Sequence, residues 1–350
     1  MFHCATAVFV LSFVAAIPPL AAQDLVAGKP APPLHISKWL KGEPVKEFAK
    51  DRSYVVEFWA TWCPPCIAGM PHLTEVQKKH ASALTVIGVT SEDRNNPLTA
   101  VEAMVKAKGD TIGYTIAFDD GTKTNKSWFE AAGQEGIPAC FVVDKNGVIA
   151  WIGHPQWLDV ILPDVLAGKY EVEALKAKPA AIEKRMQRIF FAAALKPEVA
   201  LKEAEELTTE HPFLADQVDQ GMFGMMLTDQ GKHAWPIGER IVKRATAAKD
   251  TNALNSVAWS IVDPEAKVGE RNLELAMTAA AKAVEITASK DAAILDTLAR
   301  VHAWKGDFPK ALELQKKAVA LCSEEEKAQL TPALTEYEAK VKAAGAGTAK

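Results

Sequence analysis

The chain has 350 residues, 49% of them hydrophobic and 24% charged, with a formal net charge of −4. Forty basic side chains face 44 acidic ones with no basic cluster, which argues against a nucleic-acid surface. At ~150 residues per domain, this length accommodates about two domains.

Residues 1–22 stand apart. Cys4 to Leu20 is almost wholly apolar and uncharged, and Ala21-Ala22-Gln23-Asp24 follows it. The pattern predicts a secretory signal cleaved after Ala22, because the apolar core is short for a membrane span of ~20 residues. The alternative is an uncleaved N-terminal anchor. Either one would hold the remaining chain outside the cytoplasm, and cleavage would leave it periplasmic.

From residue 24 to 168, strand-like and helix-like segments alternate. Tyr54–Trp59 reads as a buried strand and Pro64–His80 as a helix, amphipathic from Ile67. Leu84–Thr90 reads as a strand, and Pro97–Lys108 and Thr124–Ala132 as helices. Two further strands, Ala139–Asp144 and Val148–Gly153, flank Lys145-Asn146-Gly147, whose Asn-Gly dipeptide is a strong hairpin signal. This order predicts an α/β domain with a mixed central sheet and flanking helices.

Between the first strand and the first helix stands Trp62-Cys63-Pro64-Pro65-Cys66. Free N–H groups at a helix start, together with the positive end of the helix dipole, favour a thiolate there. Two cysteines so spaced on a first helical turn can close a small disulfide and reopen it. Of the other cysteines, Cys140 and Cys322 lie alone in dissimilar segments, a poor fit to a structural disulfide framework. A lone strand cysteine such as Cys140 is more often a small buried hydrophobe than a redox thiol. Zinc fits no better, since only His72 and His80 lie near the pair. No metal or cofactor is expected.

Beyond Gly168 the chain is rich in Ala, Leu, Lys and Glu with helical periodicity. Ala276 and Ala283 are seven apart, as are Ala311 and Ala318, and the two sets are 35 apart. Gly238 and Ala245 form a degenerate copy 38 residues earlier. Such a period, with small residues where paired helices cross, predicts stacked helical hairpins. The domain plan is therefore a signal at 1–22, an α/β domain at 23–168, a linker at 169–181, all-α repeats at 182–343 and a disordered tail at 344–350.

Phe58-Trp59-Ala60-Thr61-Trp62-Cys63-Pro64-Pro65-Cys66 resembles the thioredoxin superfamily, most closely its exported TlpA/ResA-like branch. The likeness extends to Gly28-Lys29-Pro30-Ala31-Pro32, Met70-Pro71 and Gly136-Ile137-Pro138. It implies a thioredoxin-like fold and an oxidoreductase with Cys63 as nucleophile and Cys66 as resolving thiol, joined as a redox-active disulfide. Glu57, six residues before Cys63, matches a buried acid that would relay the Cys66 proton through water. Pro138 matches the family's cis-proline and would expose the Ile137 backbone to an extended partner segment. Trp62, with Pro64 and Pro65, would form the rim above Cys63. Residues 292–323 resemble a tetratricopeptide (TPR) repeat through Leu295, Leu298, Ala299, Gly306, Phe308, Ala311 and Ala318.

The expected partners are protein thiols and disulfides in an exported compartment and an upstream thiol donor. A peptide or a second copy would meet the repeats. The expected direction is reduction, with oxidase and isomerase roles left open by the Pro-Pro dipeptide. The alternative is a non-catalytic scaffold that binds through its repeats and carries an accessory thioredoxin-fold module. A peroxidase fits poorly, since neither Cys63 nor Cys66 is preceded by the Pro-x-x-x-Thr-x-x-Cys pattern of peroxiredoxins.

Overall fold

The computed structural model describes residues 25–227 and 231–347, so the expected signal at 1–22 lies outside the described residues. The chain divides into two units, Met1–Ala181 and Ile182–Lys350, and the division falls inside helix α5 (Val172–Leu195). The stretch expected as a linker, 169–181, is thus helical from Val172 onward. Among the described residues, no helix is long and apolar enough to cross a membrane.

The first unit is built on β2 (Ser53–Phe58), whose six residues are all buried. β2 pairs in parallel with β3 (Leu84–Thr90) on one edge and antiparallel with β5 (Ala139–Val143) on the other. Beyond β3 lie β4 (Thr115–Asp119) and then β1 (Ile36–Lys41); beyond β5 lies β6 (Ile149–Gly153). The sheet order is β1-β4-β3-β2-β5-β6, a mixed sheet as the alternating pattern predicts.

Strand alternation divides the two faces. Tyr54, Val56 and Phe58 point to one face, into a cluster with Ile87, Val89, Trp128, Phe141 and Ile149. There the Trp128 and Phe141 rings meet edge to face at 5.3 Å. Val55 and Glu57 take the opposite face. Helix α1 (Pro64–Lys79) packs on β3 and contributes nothing to that aromatic cluster, so it covers the Glu57 face. Thr74 of α1 accepts from the Gly113 amide at 2.8 Å and donates to the Thr111 carbonyl at 2.6 Å, locking the helix to the approach to β4.

Three elements of this unit gave no clear sequence signal. β1 is an edge strand with Ser37 and Lys38 exposed, so its apolar residues do not form a run. β4 has only five residues. Helix α4 (Leu158–Ala167) carries Pro163 in its interior, which breaks the helical pattern. Between β4 and β5, α2 (Leu98–Lys108) having come earlier, the predicted helix near 124–132 is a short helix α3 (Lys123–Asn125) running into a π-helical turn (Lys126–Glu130). Buried Asp119 fixes its start by accepting from the Thr124 and Asn125 amides, both at 2.9 Å.

The second unit is all helical among the described residues: α6 (Pro197–Glu210), α7 (Ala215–Met226), α8 (Gly231–Ala248), α9 (Thr251–Val262), α10 (Leu273–Ile286), α11 (Ala292–Trp304), α12 (Phe308–Leu321) and α13 (Glu324–Gly347). Asp250, Asn272, Asp291 and Asp307 cap α9 to α12, each accepting from an amide three residues on. The alanines of the repeat, Ala276, Ala283, Ala311 and Ala318, are fully buried where α10 packs on α9 and α12 on α11. A Cβ on Gly238 would come within 2.8 Å of Phe223 and Leu275, so α8 needs glycine at this crossing. Of the expected disordered tail, 344–347 continue α13, and 348–350 lie outside the described residues.

Candidate active site

The chain leaves the sheet at Trp59, whose amide still bonds the Val89 carbonyl at 3.2 Å, and turns sharply into α1. Cys63 is the N-cap of that helix. Pro64 and Pro65 occupy the first two helical positions and bring no N–H. The first amide able to donate is that of Cys66, and it donates to Cys63 Sγ at 3.2 Å. The two sulfurs form a disulfide with Cα atoms 5.3 Å apart. Both cysteines are buried, while Trp62, Pro64 and Pro65 around them are exposed.

Across from the pair runs the segment leading into β5. The Ile137–Pro138 peptide is cis, and the Ile137 carbonyl oxygen lies 3.8 Å from Cys63 Sγ. Beside this contact opens a groove of about 450 Å³, walled by Phe58, Trp62, Phe129 and Ile137 and edged by Asp93 and Glu135. Trp62 is fixed at its margin by donating from Nε1 to Asp93 Oδ2 at 2.9 Å.

Sequence reasoning missed Asn96. This fully buried side chain accepts from the Thr61 amide at 2.9 Å and the Thr61 hydroxyl at 2.7 Å. Its Nδ2 donates to Thr90 Oγ1 at 2.8 Å and the Ser91 carbonyl at 2.7 Å. One amide therefore ties the loop carrying Cys63 to the end of β3. In the sequence, Asn96-Pro97 signals only a turn ahead of α2.

On the face of β2 that α1 covers, Glu57 stands in register with Gly88 on one side and Cys140 on the other. Burial without compensating charge lifts its carboxyl from an ordinary 4.5 to about 8, and its Oε2 has no hydrogen-bond partner. Glu57 is thus a neutral acid at pH 7. Cys140 is fully buried, and burial first, then the nearby Glu57, pushes its thiol well up. Burial therefore favours its protonated form. Cys322 lies in the second unit at the end of α12, with Sγ donating to the Val319 carbonyl at 3.3 Å. Among the described residues, no group of three or more His, Cys, Asp or Glu side chains is placed to hold a metal.

Two outcomes follow from this geometry. The folded chain keeps a proton on Glu57 that the unfolded chain releases near pH 4.5, so stability falls as pH rises from there to about 8 and then levels off. Denaturant unfolding of Glu57→Gln should match the parent at pH 5 and exceed it at pH 9 by on the order of a few kcal/mol; parallel curves would refute the neutral acid. Asn96→Ala should cost about 2–3 kcal/mol in the same assay and slow reduction of a peptide disulfide several-fold. Wild-type stability and rate would show that the tether does not position Cys63.

Residues 27–157 match the Redoxin family. Relatives include protein FixW of Rhizobium leguminosarum, 28% identical over 163 residues that cover 45% of this chain and 74% of FixW. Thioredoxin-like protein YneN of Bacillus subtilis is 31% identical over 125 residues, 35% of this chain and 68% of YneN. Thiol-disulfide oxidoreductase ResA of Bacillus thuringiensis is 28% identical over 130 residues, 36% of this chain and 69% of ResA. All three alignments cover more than two thirds of the relative, and the Redoxin match spans every strand of the sheet and the cysteine pair at the head of α1. This chain therefore belongs to the thioredoxin-like thiol–disulfide oxidoreductases of the Redoxin family.

Proposed function

We propose that the protein is an exported reductase of protein disulfides, supplied with electrons by an upstream dithiol donor. The observation that carries this reading is the asymmetry of the pair. Both cysteines are buried, but Cys63 is the helix cap and its Sγ lies against the Ile137 carbonyl that edges the groove, whereas Cys66 lies a turn further into the helix.

In the reduced enzyme, the Cys66 amide and the helix dipole stabilise the Cys63 thiolate. That thiolate attacks one sulfur of the partner disulfide. The partner S–S bond breaks, the first partner thiolate leaves and takes a solvent proton, and a mixed disulfide forms on Cys63. Cys66 then gives its proton through water to Glu57 in the fraction of molecules whose carboxyl is ionised, and attacks Cys63 Sγ. The second partner thiolate leaves and the Cys63–Cys66 disulfide closes. Two electrons have passed to the partner, and the donor dithiol returns the pair to the reduced state by the same steps in reverse. With its pKa raised to about 8, Glu57 is a far stronger base when ionised than an ordinary carboxylate, which suits it to take a thiol proton.

Ile137, ahead of Pro138, offers its backbone to an extended partner segment, and the groove beside Trp62 takes a neighbouring apolar side chain. Exposed Pro64 and Pro65 complete the rim. The apolar leader, Cys4 to Leu20, supports export to the periplasm. The helices of the second unit act as TPR-like hairpins for a partner peptide or a second copy. A groove of about 420 Å³ supports this role, with Phe223 on one wall and Asn252, Ser256 and Ser260 one turn apart along α9.

Cys66→Ser should trap partners as mixed disulfides that dithiothreitol releases, and Cys63→Ser should trap none and lose disulfide reduction by at least 100-fold, roughly the loss of an activated nucleophile. Reductase activity intact in Cys63→Ser would remove the assignment.

A further inference from the structure

The space beside Glu57 is filled in an unusual way. Gly88 is its register partner on β3, and a Cβ there would stand 3.0 Å from Ile116 Cδ1, 3.1 Å from Trp59 Nε1 and 3.2 Å from Tyr114 Cε2. A side chain here would press on the rings of Trp59 and Tyr114, which crowd the position next to Glu57, and the Tyr114 hydroxyl is close enough to feel the Glu57 charge. Glu57, Trp59 and Tyr114 are all buried, at 2%, 3% and 4% exposure. Glu57 Oε2, Trp59 Nε1 and the Tyr114 hydroxyl each have no hydrogen-bond partner.

Buried polar atoms are nearly always paired, so three orphans around one glycine call for an explanation. Their chemistry supplies one. The indole N–H can only donate, the phenol O–H donates, and a carboxylate only accepts, with room for both. A protonated Glu57 adds a third donor to the set. The ionised form turns the same set into two charge-assisted hydrogen bonds in a buried site of low dielectric. The environment is therefore matched to the form of Glu57 that burial disfavours.

We propose that Tyr114 and Trp59 are the donor pair that receives the Glu57 carboxylate when it ionises, and so govern how readily Glu57 accepts the Cys66 proton. This rests on the relay role given to Glu57 above. Both are positioning residues: they act on sulfur only through the carboxyl. The other titratable group set against Glu57 in the sheet is Cys140 on β5, and Cys66 is carried on α1, which covers this face. Cys140 does not replace the pair, since a thiol is a weak hydrogen-bond donor. Tyr114 itself stays protonated, its hydroxyl pushed up by burial and then by Glu57, so it serves as a fixed donor throughout the working range.

The test is the pH profile of Cys66 alkylation in the reduced full-length protein, read by peptide mass spectrometry, alongside a ¹³C-carboxyl NMR titration of Glu57 in the oxidised protein. Tyr114→Phe keeps the ring and removes one donor. It should raise the Glu57 midpoint by about one pH unit and slow Cys66 alkylation at pH 7 by about tenfold. Trp59→Phe should move both readouts the same way. In a Glu57→Gln background, Tyr114→Phe should have no further effect. If Glu57→Gln alters the profile while Tyr114→Phe and Trp59→Phe leave both readouts at wild type, the donor pair is overturned and the relay stands. If Glu57→Gln itself leaves the profile unchanged, relay and donor pair fall together.

Discussion

The site depends on one strand, paired along both edges and buried on both faces. β2 delivers Cys63 to the head of α1, and two residues before leaving the sheet it sets Glu57 on the face that α1 covers. Its neighbours are fixed by the same ladder: Gly88 and Cys140 stand opposite Glu57 because β3 and β5 are in register there. A slip of one residue would turn Glu57 into the aromatic cluster and bring Phe58 to the α1 face. The apolar faces on both sides resist that slip. Packing thus specifies the chemistry before any catalytic side chain is considered.

Two opposed electrostatic settings sit within one turn of chain. At the helix head, backbone donors and the dipole favour the charged form of Cys63, whereas one layer below, burial favours the neutral form of Glu57. Under the proposed mechanism, this contrast is what lets the two sulfurs take different parts. Pro64 and Pro65 sharpen the upper setting by leaving the Cys66 amide as the first donor. Cys140 sits in the lower setting without the upper one, and its raised thiol is the consequence. A third cysteine close to the pair therefore need not compete with it.

Much of this was legible in the sequence, for identifiable reasons. Apolar runs of full strand length marked β2, β3 and β5, and Asn146-Gly147 marked the hairpin into β6 because its backbone needs a tight turn; Gly147 has φ +77°. The cysteine spacing and its place between strand and helix marked the site. β1 and β4 were not legible, since an edge strand with polar positions and a five-residue strand carry little periodic signal. Asn96 and Tyr114 were not legible either. Asn96 bonds Thr61 and Tyr114 lies within the influence of Glu57, both partners distant in sequence, and nothing local in their own segments reports those pairings. In the helical unit, helical periodicity and small residues at crossings announced the helices, but a spacing cannot say what their surface binds.

The central claim is that Cys63 and Cys66 form a reversible couple poised to give electrons to partner disulfides. The direct measurement is the reduction potential of the pair against glutathione, with Cys140 and Cys322 both replaced by alanine. A potential near ~−270 mV, in the range of reducing thioredoxins, is the result expected of a reductase. A potential near ~−120 mV, or no reversible couple at all, would contradict it.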